Sequence, residues 1–427
     1  MNYQVASFLM KHNFVCHVDV LTAAQAILDD MKKGLKKEKS NQDMIRTFCN
    51  PPKNPVRNES VIVIDAGGTN FRSCLVSFDD KGEATISEME KTAMPGVSKE
   101  LSKKDFFNQI ASNLDHLKNK ADKIGFCFSY PMEITEDGDG ILLGFSKEVK
   151  APEVVGSKVG ECLKAALKEK GWNDIKQITL CNDTVSALLA GNACVPSTEV
   201  SSYIGMILGT GLNAAYLQPA CDICGIKEQI IVCESGKFLG VNQSDFDKQV
   251  CAASTSPDSF FLEKLCSGAY LGPVSYYALT AAAKEGVFSE KMSAEILKLD
   301  SLTLIEMDKF LHGPYNTETV LGKICAESAT DEDFDRIIQI LDAICERSAR
   351  YGAAILTACA LQTGKGKQSH KPICILCNGT TFFKTWMIRE RVYAYLDEVL
   401  TKQSGVFWKI VSIDNDITLG TAIAGLI

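Results

Sequence analysis

A short strand, a glycine-rich turn and a second strand occur twice in this sequence of 427 residues. The two units span residues 61–78 and 203–217. When they are superposed on the turn asparagines Asn70 and Asn213, a glycine two residues earlier coincides as well. Repetition of one supersecondary unit predicts two related domains, each opening with the same strand pair.

Strands and helices alternate around these units. Short apolar runs predict further strands at 124–128, 178–181 and 373–376, and residues 50–58, rich in proline, predict a linker. The spacing of apolar residues predicts helices at 18–35, 104–118, 157–170, 184–193 and 382–402, and a mostly helical segment over 260–350. This alternation is typical of an α/β architecture.

The net charge is −8, which argues against a broad nucleic-acid surface. No apolar stretch approaches the roughly 18–20 residues that cross a bilayer, and the N-terminus lacks the pattern of a signal peptide. We therefore predict a cytoplasmic protein without nucleic-acid or membrane partners. Phosphate ligands remain compatible with an acidic chain, because backbone N–H groups and a metal ion can hold them.

The 17 cysteines are a high and odd number, and a disulfide framework is not expected in a long intracellular chain with large cores. Two Cys-x-x-Cys pairs occur. Cys374 and Cys377 lie in a predicted strand, where residues three apart face opposite sides. Cys221 and Cys224 lie in a predicted loop and could bind metal or be redox-active, although a structural zinc site would want four such ligands.

The two glycine turns are the first candidates for chemistry. No P-loop motif occurs, and a strand rather than a helix is predicted after Gly209, so a Rossmann site is not indicated. A glycine-rich hairpin lets backbone N–H groups approach phosphate oxygens, and the hydroxyls of Thr69 and Thr210 could add donors. Asp65, at a strand end, could hold the water shell of a metal ion. Two ordinary hairpins with glycine in their turns are the alternative.

Asp183 is the best acid/base candidate, since none of the five histidines adjoins a polar strand end. It follows an apolar strand and precedes a helix, which places it at the carboxyl edge of a sheet, where α/β sites lie. There it could take a proton from a substrate hydroxyl, or it could simply cap the helix, as Asn182 could. Asn182, Asn213, Glu234 and Glu263 have the groups that hold polyols, although solvated surface positions would look the same locally.

Taken in order, seven segments resemble the hexokinase family, within the fold group of sugar kinases, heat-shock ATPases and actin. They are residues 28–35 (LDDMKKGL), 64–72 (IDAGGTNFR), 126–131 (FCFSYP), 181–185 (CNDTV), 208–214 (LGTGLNA), 267–272 (SGAYLG) and 378–380 (NGT). The most specific match is 64–72, which resembles the family's first phosphate motif. Residues 208–214 resemble the second phosphate motif.

The resemblance implies a role for each matched residue. Asp183 would be the base that takes the proton of the sugar 6-hydroxyl, and Lys147 would meet the sugar and the transferred phosphoryl group. The hexose would be held by Ser129, Ser146, Lys147, Asn182, Asp183, Asn213, Glu234 and Glu263. The ATP site would be lined by Asp65, Gly67, Gly68, Thr69, Asn70, Arg72, Thr210, Gly211, Gly379 and Thr380. Asp65 would hold Mg²⁺ through water.

Two segments depart from the family pattern. The family's sugar loop Trp-Thr-Lys-Gly-Phe is Phe-Ser-Lys-Glu-Val at 145–149, so Glu148 replaces a glycine. The family's Glu-Trp-Gly-Ala-Phe is Glu-Ser-Gly-Lys-Phe at 234–238, which brings Lys237 close to Glu234. Both changes bear on which hexose is preferred more than on the chemistry.

The resemblance implies an actin-like, ribonuclease H-like α/β fold with a cleft between two domains. We expect a small domain of 58–181 with 416–427 and a large domain of 1–57 with 182–415. The expected activity is transfer of the ATP γ-phosphoryl group to a hexose, with glucose favoured over mannose or fructose. A catalytically weak sugar sensor and a sugar-independent ATPase of the same fold are the alternatives. A degenerate sensor would be expected to have lost one of Asp65, Lys147, Asp183 and Thr210.

Overall fold

The structure is a computed structural model that describes residues 1–145 and 149–427. Two of the predicted sugar contacts, Ser146 and Lys147, therefore lie outside the described residues, as does Glu148. The strands are β1 Ile45–Arg46, β2 Glu59–Gly67, β3 Asn70–Phe78, β4 Ala84–Ala93, β5 Lys123–Phe128, β6 Met132–Ile134, β7 Gly140–Leu142, β8 Gln177–Cys181, β9 Ser202–Leu208, β10 Leu212–Gln218, β11 Gln229–Val232, β12 Ile373–Asn378 and β13 Trp408–Val411.

Helices fill about half of the remaining sequence. They are α1 Tyr3–Lys11, α2 Val20–Leu35, α3 Lys103–Ser112, α4 Val159–Glu169, α5 Asp183–Cys194, α6 Asp245–Ala253, α7 Phe261–Cys266, α8 Gly268–Lys284, α9 Glu290–Ile296, α10 Leu304–His312, α11 Val320–Ser328, α12 Asp331–Thr363, α13 Thr380–Lys384, α14 Ile388–Leu396 and α15 Asp416–Ala424. No described helix is long and apolar enough to span a membrane.

The strands form two large sheets with matching topology. One has the order β4-β3-β2-β5-β8, and the other contains the order β11-β10-β9-β12-β13, with β1 added beside β11. In each sheet the hairpin predicted from the sequence is antiparallel (β2 with β3, β9 with β10). On its other side, the first strand of each hairpin pairs in parallel with another strand: β2 pairs with β5, and β9 pairs with β12. The predicted repeat is therefore present as a duplicated sheet.

Helices α5 and α15 lie between the two sheets. A hydrophobic cluster combines their side chains with residues from both sheets, such as Val63 of β2 and Tyr203 of β9. Helix α5 is buried on nearly all sides, which explains its continuous run of small and apolar residues. The N-terminus of α5 thereby sits where the two sheets meet.

Glycines set the close spacing of these layers. A Cβ added to Gly205 of β9 would lie 2.4 Å from the carbonyl oxygen of Thr184 in α5. One added to Gly420 of α15 would lie 1.7 Å from the carbonyl oxygen of Ser186, also in α5. One added to Gly125 of β5 would lie 2.1 Å from Thr421 O in α15. The backbones of both helices therefore approach their neighbours closer than any side chain would permit.

The single helix predicted over 382–402 is wrong. The chain instead forms α13 and α14, separated at 385–387, followed by a π-helical turn at Asp397–Gln403. Tertiary hydrogen bonds hold the break: Trp386 N donates to Asp308 at 2.8 Å, and Trp386 Nε1 donates to Asp342 at 2.9 Å. Met387 adopts a left-handed conformation with φ 56°. The helix predicted over 104–118 also ends early, at Ser112.

Candidate active site

A cleft of about 1110 Å³ runs between the two sheets. Its walls include residues from the end of β5, the start of α5, the turn between β9 and β10, and the segments that follow β11 and β12. The predicted site residues that line it are Ser129, Asn182, Asp183, Thr210, Gly211, Asn213, Glu234, Glu263, Gly379 and Thr380. Pockets for one small molecule hold roughly 300–1,000 Å³, so the volume of this cleft lies just above that range.

Asp183 is the first residue of α5, directly after β8. Asn182 is the N-cap, and its side-chain oxygen accepts a hydrogen bond from Thr184 N at 2.9 Å and one from the Thr184 hydroxyl. Of the two residues that could have capped the helix, Asn182 does so. The Asp183 carboxylate is half-buried on the cleft wall, within the first helical turn, where the helix dipole favours a negative charge.

Asn213 and Glu234 lie on adjacent segments and hydrogen-bond to each other. Asn213 Nδ2 donates to Glu234 Oε1 at 2.7 Å, while Asn213 Oδ1 accepts from the backbone N–H groups of Ala214 and Ser235. Glu263, at the start of α7, accepts a hydrogen bond from Leu212 N at 3.0 Å. The Asn213 carboxamide and the Glu263 carboxylate are thus held by backbone N–H groups near the second glycine turn, and Glu234 is held through Asn213.

Glu234 has an unusual backbone and an unusual carboxylate. Its φ of 56° places it in the left-handed region, an uncommon conformation for a residue other than glycine. Burial raises the pKa of its carboxyl group to about 7, against the opposing effect of Lys237, while Asp43 and Asp183 raise it further. Lys237 also lines the cleft and forms an ion pair with Asp43.

The second glycine turn packs against the segment that follows β12. Gly379 has φ 116°, and an added Cβ would lie 2.2 Å from the Leu208 carbonyl oxygen, so this position requires glycine. The Gly209 carbonyl accepts from Gly268 N at 2.8 Å and from the Thr381 hydroxyl at 2.9 Å. Three segments far apart in the sequence therefore converge around the turn, leaving Thr210 exposed at the cleft.

The first glycine turn lies beside the cleft without forming part of its lining. An added Cβ on Gly67 would lie 3.0 Å from Ser129 Cβ, so the turn abuts one of the residues that do line it. The Asp65 carboxylate accepts a hydrogen bond from Arg72 at 3.1 Å. Burial raises the pKa of Asp65, and Arg72 opposes that effect. Gly68, Thr69 and Asn70 complete the turn.

Two aspartates that hold site residues in place were not marked by any motif in the sequence. Asp43, which pairs with Lys237, lies in an unpatterned stretch between α2 and β1. Asp416 accepts hydrogen bonds from Asn378 Nδ2 to both carboxylate oxygens at 2.7 Å, and so ties the end of β12 to the start of α15. Both pairings join residues distant in the chain, and only the tertiary fold reveals them.

Comparison with known families agrees with the geometry. One hexokinase family model matches residues 9–193, and a second matches residues 203–427. The chain belongs to the hexokinase family. Members of this family are ATP-dependent phosphotransferases that act on hexoses.

Individual hexokinases show the extent of the similarity. Hexokinase-1 of Schizosaccharomyces pombe is 26% identical over 411 residues, covering 90% of this chain and 82% of the relative. Glucokinase-1 of Kluyveromyces lactis is 27% identical over 404 residues, covering 83% of each chain. Human hexokinase-1 is 27% identical over 364 residues, which cover 80% of this chain and 39% of the human one.

Solved hexokinase structures share the fold. A hexokinase from Schistosoma mansoni, complexed with glucose, superposes with a TM-score of 0.79 at 21% identity, covering 99% of both chains. A second hexokinase crystal structure superposes with a TM-score of 0.82 at 19% identity over the full length of both. The two-domain, actin-like α/β fold expected from the sequence is confirmed.

Proposed function

We propose that this chain transfers the γ-phosphoryl group of ATP to the 6-hydroxyl of a hexose, with glucose as the principal acceptor. The observation that carries the proposal is the meeting of Asp183 with two carboxamides and two further carboxylates (Asn182, Asn213, Glu234 and Glu263) on one wall of a cleft. Sugar hydroxyls both donate and accept hydrogen bonds, so a mixed set of amides and carboxylates is suited to them.

Asp183 is the proposed general base. A carboxylate within reach of the attacking hydroxyl can accept its proton as the new O–P bond forms. The N-terminus of α5 favours the ionised form, and the cap at Asn182 fixes the first turn. Because Asn182 satisfies the helix end, Asp183 is not needed for that task.

The remaining site residues are proposed to act as predicted. Ser129, Asn182, Asn213, Glu234 and Glu263 would hold the hexose, joined by Ser146 and Lys147, which lie outside the described residues. Both glycine turns would present backbone N–H groups to the ATP phosphates, with the hydroxyls of Thr69 and Thr210 beside them and Asn70 and Arg72 flanking the first turn. Gly379 and Thr380 would lie on the adenosine side.

Mg²⁺ is the cation that the proposed reaction requires, and Asp65 is suited to hold it through water. A carboxylate oxygen at a strand end, beside a glycine turn, is a donor that Mg²⁺ prefers. Burial raises the pKa of Asp65, so a nearby cation would keep the carboxylate ionised. When bound, Mg²⁺ neutralises charge on the phosphates, while Arg72 and the turn orient the Asp65 side chain.

Water competes with the hexose as a phosphoryl acceptor. We propose that a small domain (58–181 with 416–427) closes on a large one (1–57 with 182–415) once the sugar is bound. In support, the cleft lies between the two sheets, and α5 and α15 are the helices packed between them. Motion at these helices would change the width of the cleft.

The test is ADP release by the purified chain with MgATP, measured with and without glucose, mannose, fructose and N-acetylglucosamine. We expect fast release only when a hexose is present, with glucose giving the highest kcat/KM. Equal release without sugar would contradict the proposal and indicate an ATPase. No release with any sugar, together with sugar binding by calorimetry, would contradict it as well and indicate a sensor.

A further inference from the structure

The Cys221–Cys224 pair lies in a tight turn at the tip of a hairpin. Cys221 and Ile226 exchange two backbone hydrogen bonds, of 2.8 and 3.0 Å, which close a four-residue loop. Within the loop, Gly225 N donates to the Asp222 carbonyl at 3.1 Å, and Gly225 takes a left-handed φ of 59°. The loop backbone is therefore fixed by its own hydrogen bonds.

The two thiols lie in the same closed loop, three residues apart, and both residues are partly exposed. The neighbouring Cys224 is the main cause that lowers the pKa of Cys221. Ile223 between them is 90% exposed, so reagents can reach the turn. By contrast, the Cys233 and Cys359 sulfurs are 4.0 Å apart but both residues are buried. All 17 cysteines are free thiols.

Two cations lie on the Cys224 side of the turn, and the Asp222 carboxylate lies within the turn beside Cys221. The Arg46 guanidinium donates to the carbonyl oxygens of Cys224 and Gly225, at 3.1 and 3.4 Å, and its charge, with that of Lys36, favours the Cys224 thiolate. The Cys224 thiol and the backbone N–H groups of Cys224 and Ile223 lower the pKa of Cys221 against the effect of Asp222, while Cys221 and burial raise the pKa of Cys224. Cys221 is therefore the more acidic thiol of the pair, and a partly exposed thiol with a lowered pKa is the environment of a reactive cysteine.

We propose that Cys221 and Cys224 form a reversible dithiol–disulfide site that reacts with small disulfides of the glutathione type. The Cys221 thiolate attacks one sulfur of the oxidised reagent, whose S–S bond breaks and releases one reduced thiol. The Cys224 thiol then loses its proton and attacks Cys221 Sγ, which expels the second reduced thiol. One reagent disulfide is reduced to two thiols, and the protein pair is oxidised to one disulfide.

A metal is a weaker occupant for this turn. Among the residues that the structure describes, no group of three or more histidine, cysteine, aspartate or glutamate side chains is placed to hold an ion. Two sulfurs alone do not complete the four-ligand shell of a structural zinc site. The proposal also stands apart from sugar phosphorylation, since its readout is thiol chemistry.

The test follows the thiols of the full-length native chain. The protein is equilibrated in glutathione buffers from fully reduced to mostly oxidised, quenched with iodoacetamide, and analysed by peptide mass spectrometry. We expect Cys221 and Cys224 to lose labelling together, with one midpoint, as their peptide becomes lighter by two hydrogen atoms. Excess dithiothreitol should restore both labels. In the reduced chain, iodoacetamide should label Cys221 at least about tenfold faster than Cys194, a partly exposed cysteine whose pKa is raised by burial and by Asp416.

Single variants separate the two roles. Cys224→Ser should trap a glutathione adduct on Cys221, because no second thiol is left to displace it. Cys221→Ser should leave Cys224 much slower to react, and Cys194→Ser should behave as the wild type. The proposal would be overturned if both thiols stayed labelled in the most oxidising buffer, or if each carried a separate glutathione adduct in the wild type.

Discussion

At the residue scale, the proposed chemistry depends on two neighbouring residues at the start of α5 that have different roles. Asn182 caps the helix by accepting from Thr184 N, so the adjacent Asp183 carboxylate can serve the substrate. A carboxylate in a first helical turn is ordinarily explained by the helix dipole alone. The position of Asp183 on the wall of the cleft supports the further role that we propose for it, that of general base.

Replacing Asp183 tests that role. We expect Asp183→Asn to fold normally and to lower kcat by about 10²–10⁴-fold, the usual contribution of a general base. The amide keeps the size and hydrogen-bonding capacity of the side chain, so the Kd for glucose should change much less. Steady-state kinetics and calorimetry check the two quantities.

Asp105→Asn is the matched control for Asp183→Asn. Asp105 is also an aspartate in the first turn of a helix, α3, but it is exposed and outside the lining of the cleft. The Asp105→Asn variant should leave kcat unchanged. Near-normal turnover in Asp183→Asn would remove Asp183 from the role of base.

Glu234, a proposed hexose contact, should make sugar binding sensitive to pH. Its pKa of about 7 means that the carboxylate, which we propose accepts hydrogen bonds from the hexose, is protonated as the pH falls through neutrality. We therefore expect kcat/KM for glucose to decline below about pH 7. Lys237→Gln should move this acid limb to higher pH, because Lys237 lowers the pKa of Glu234, and Asp43→Asn should move it to lower pH.

General damage to the fold would not shift the acid limb in opposite directions in Lys237→Gln and Asp43→Asn. Lys248→Gln is the control, since Lys248 is an exposed lysine paired with Asp245 on α6, away from the cleft. It should leave the pH profile unchanged. A profile that both cleft variants shift in the same direction would contradict the assignment to Glu234.

At the element scale, the close approach of α5 and α15 depends on glycine. Gly420→Ala would place a Cβ 1.7 Å from the Ser186 carbonyl oxygen, a backbone atom that cannot move without displacing α5. Overpacking of this kind costs about 1–3 kcal/mol. We expect the free energy of unfolding in urea to fall by that amount, with a lower midpoint.

Gly352→Ala provides the comparison for Gly420→Ala. Gly352 is also a buried helical glycine, in α12, but an added Cβ would meet Val392 at 3.6 Å, an ordinary contact. Alanine favours helix over glycine by about 0.8–1.0 kcal/mol, so this variant should be neutral or slightly more stable. Equal destabilisation by both variants would mean that the spacing of α5 and α15 is not the cause.

At the scale of the whole molecule, the proposed closure makes sugar binding a change of shape. We expect glucose to reduce the radius of gyration measured by small-angle X-ray scattering. The open cleft of about 1110 Å³ is larger than one hexose requires, which leaves room for closure. We therefore also expect glucose to slow proteolysis of the segments that line the cleft. At 100 times its Kd, glucose should also add about 2.7 kcal/mol to the free energy of unfolding.

The two readouts for glucose separate binding from motion. Stabilisation without a change in the radius of gyration would show that the sugar binds a cleft that does not close. L-Glucose, which has the same composition and opposite handedness, should change neither quantity.

The sequence by itself determined the repeated hairpins, the α/β order and the family. The local sequence pattern was sufficient for the hairpins. A β-branched run such as 61–65 strongly favours a strand, and a glycine-rich turn favours a chain reversal directly after it. The same segments carried the candidate residues Asp183, Asn213 and Thr210. Their order along the chain, rather than any single motif, distinguished a sugar kinase from ordinary hairpins and helix caps.

Only the tertiary structure decided which of these residues share one cleft and what surrounds them. It assigned the helix cap to Asn182, paired Lys237 with Asp43, and set the first glycine turn beside the cleft rather than in its lining. It also broke the helix expected at 382–402 through hydrogen bonds to Asp308 and Asp342. The cap is a choice between neighbouring residues. The other outcomes depend on groups far apart in the chain, whose distances, burial and charges exist only once the two sheets have packed around α5 and α15.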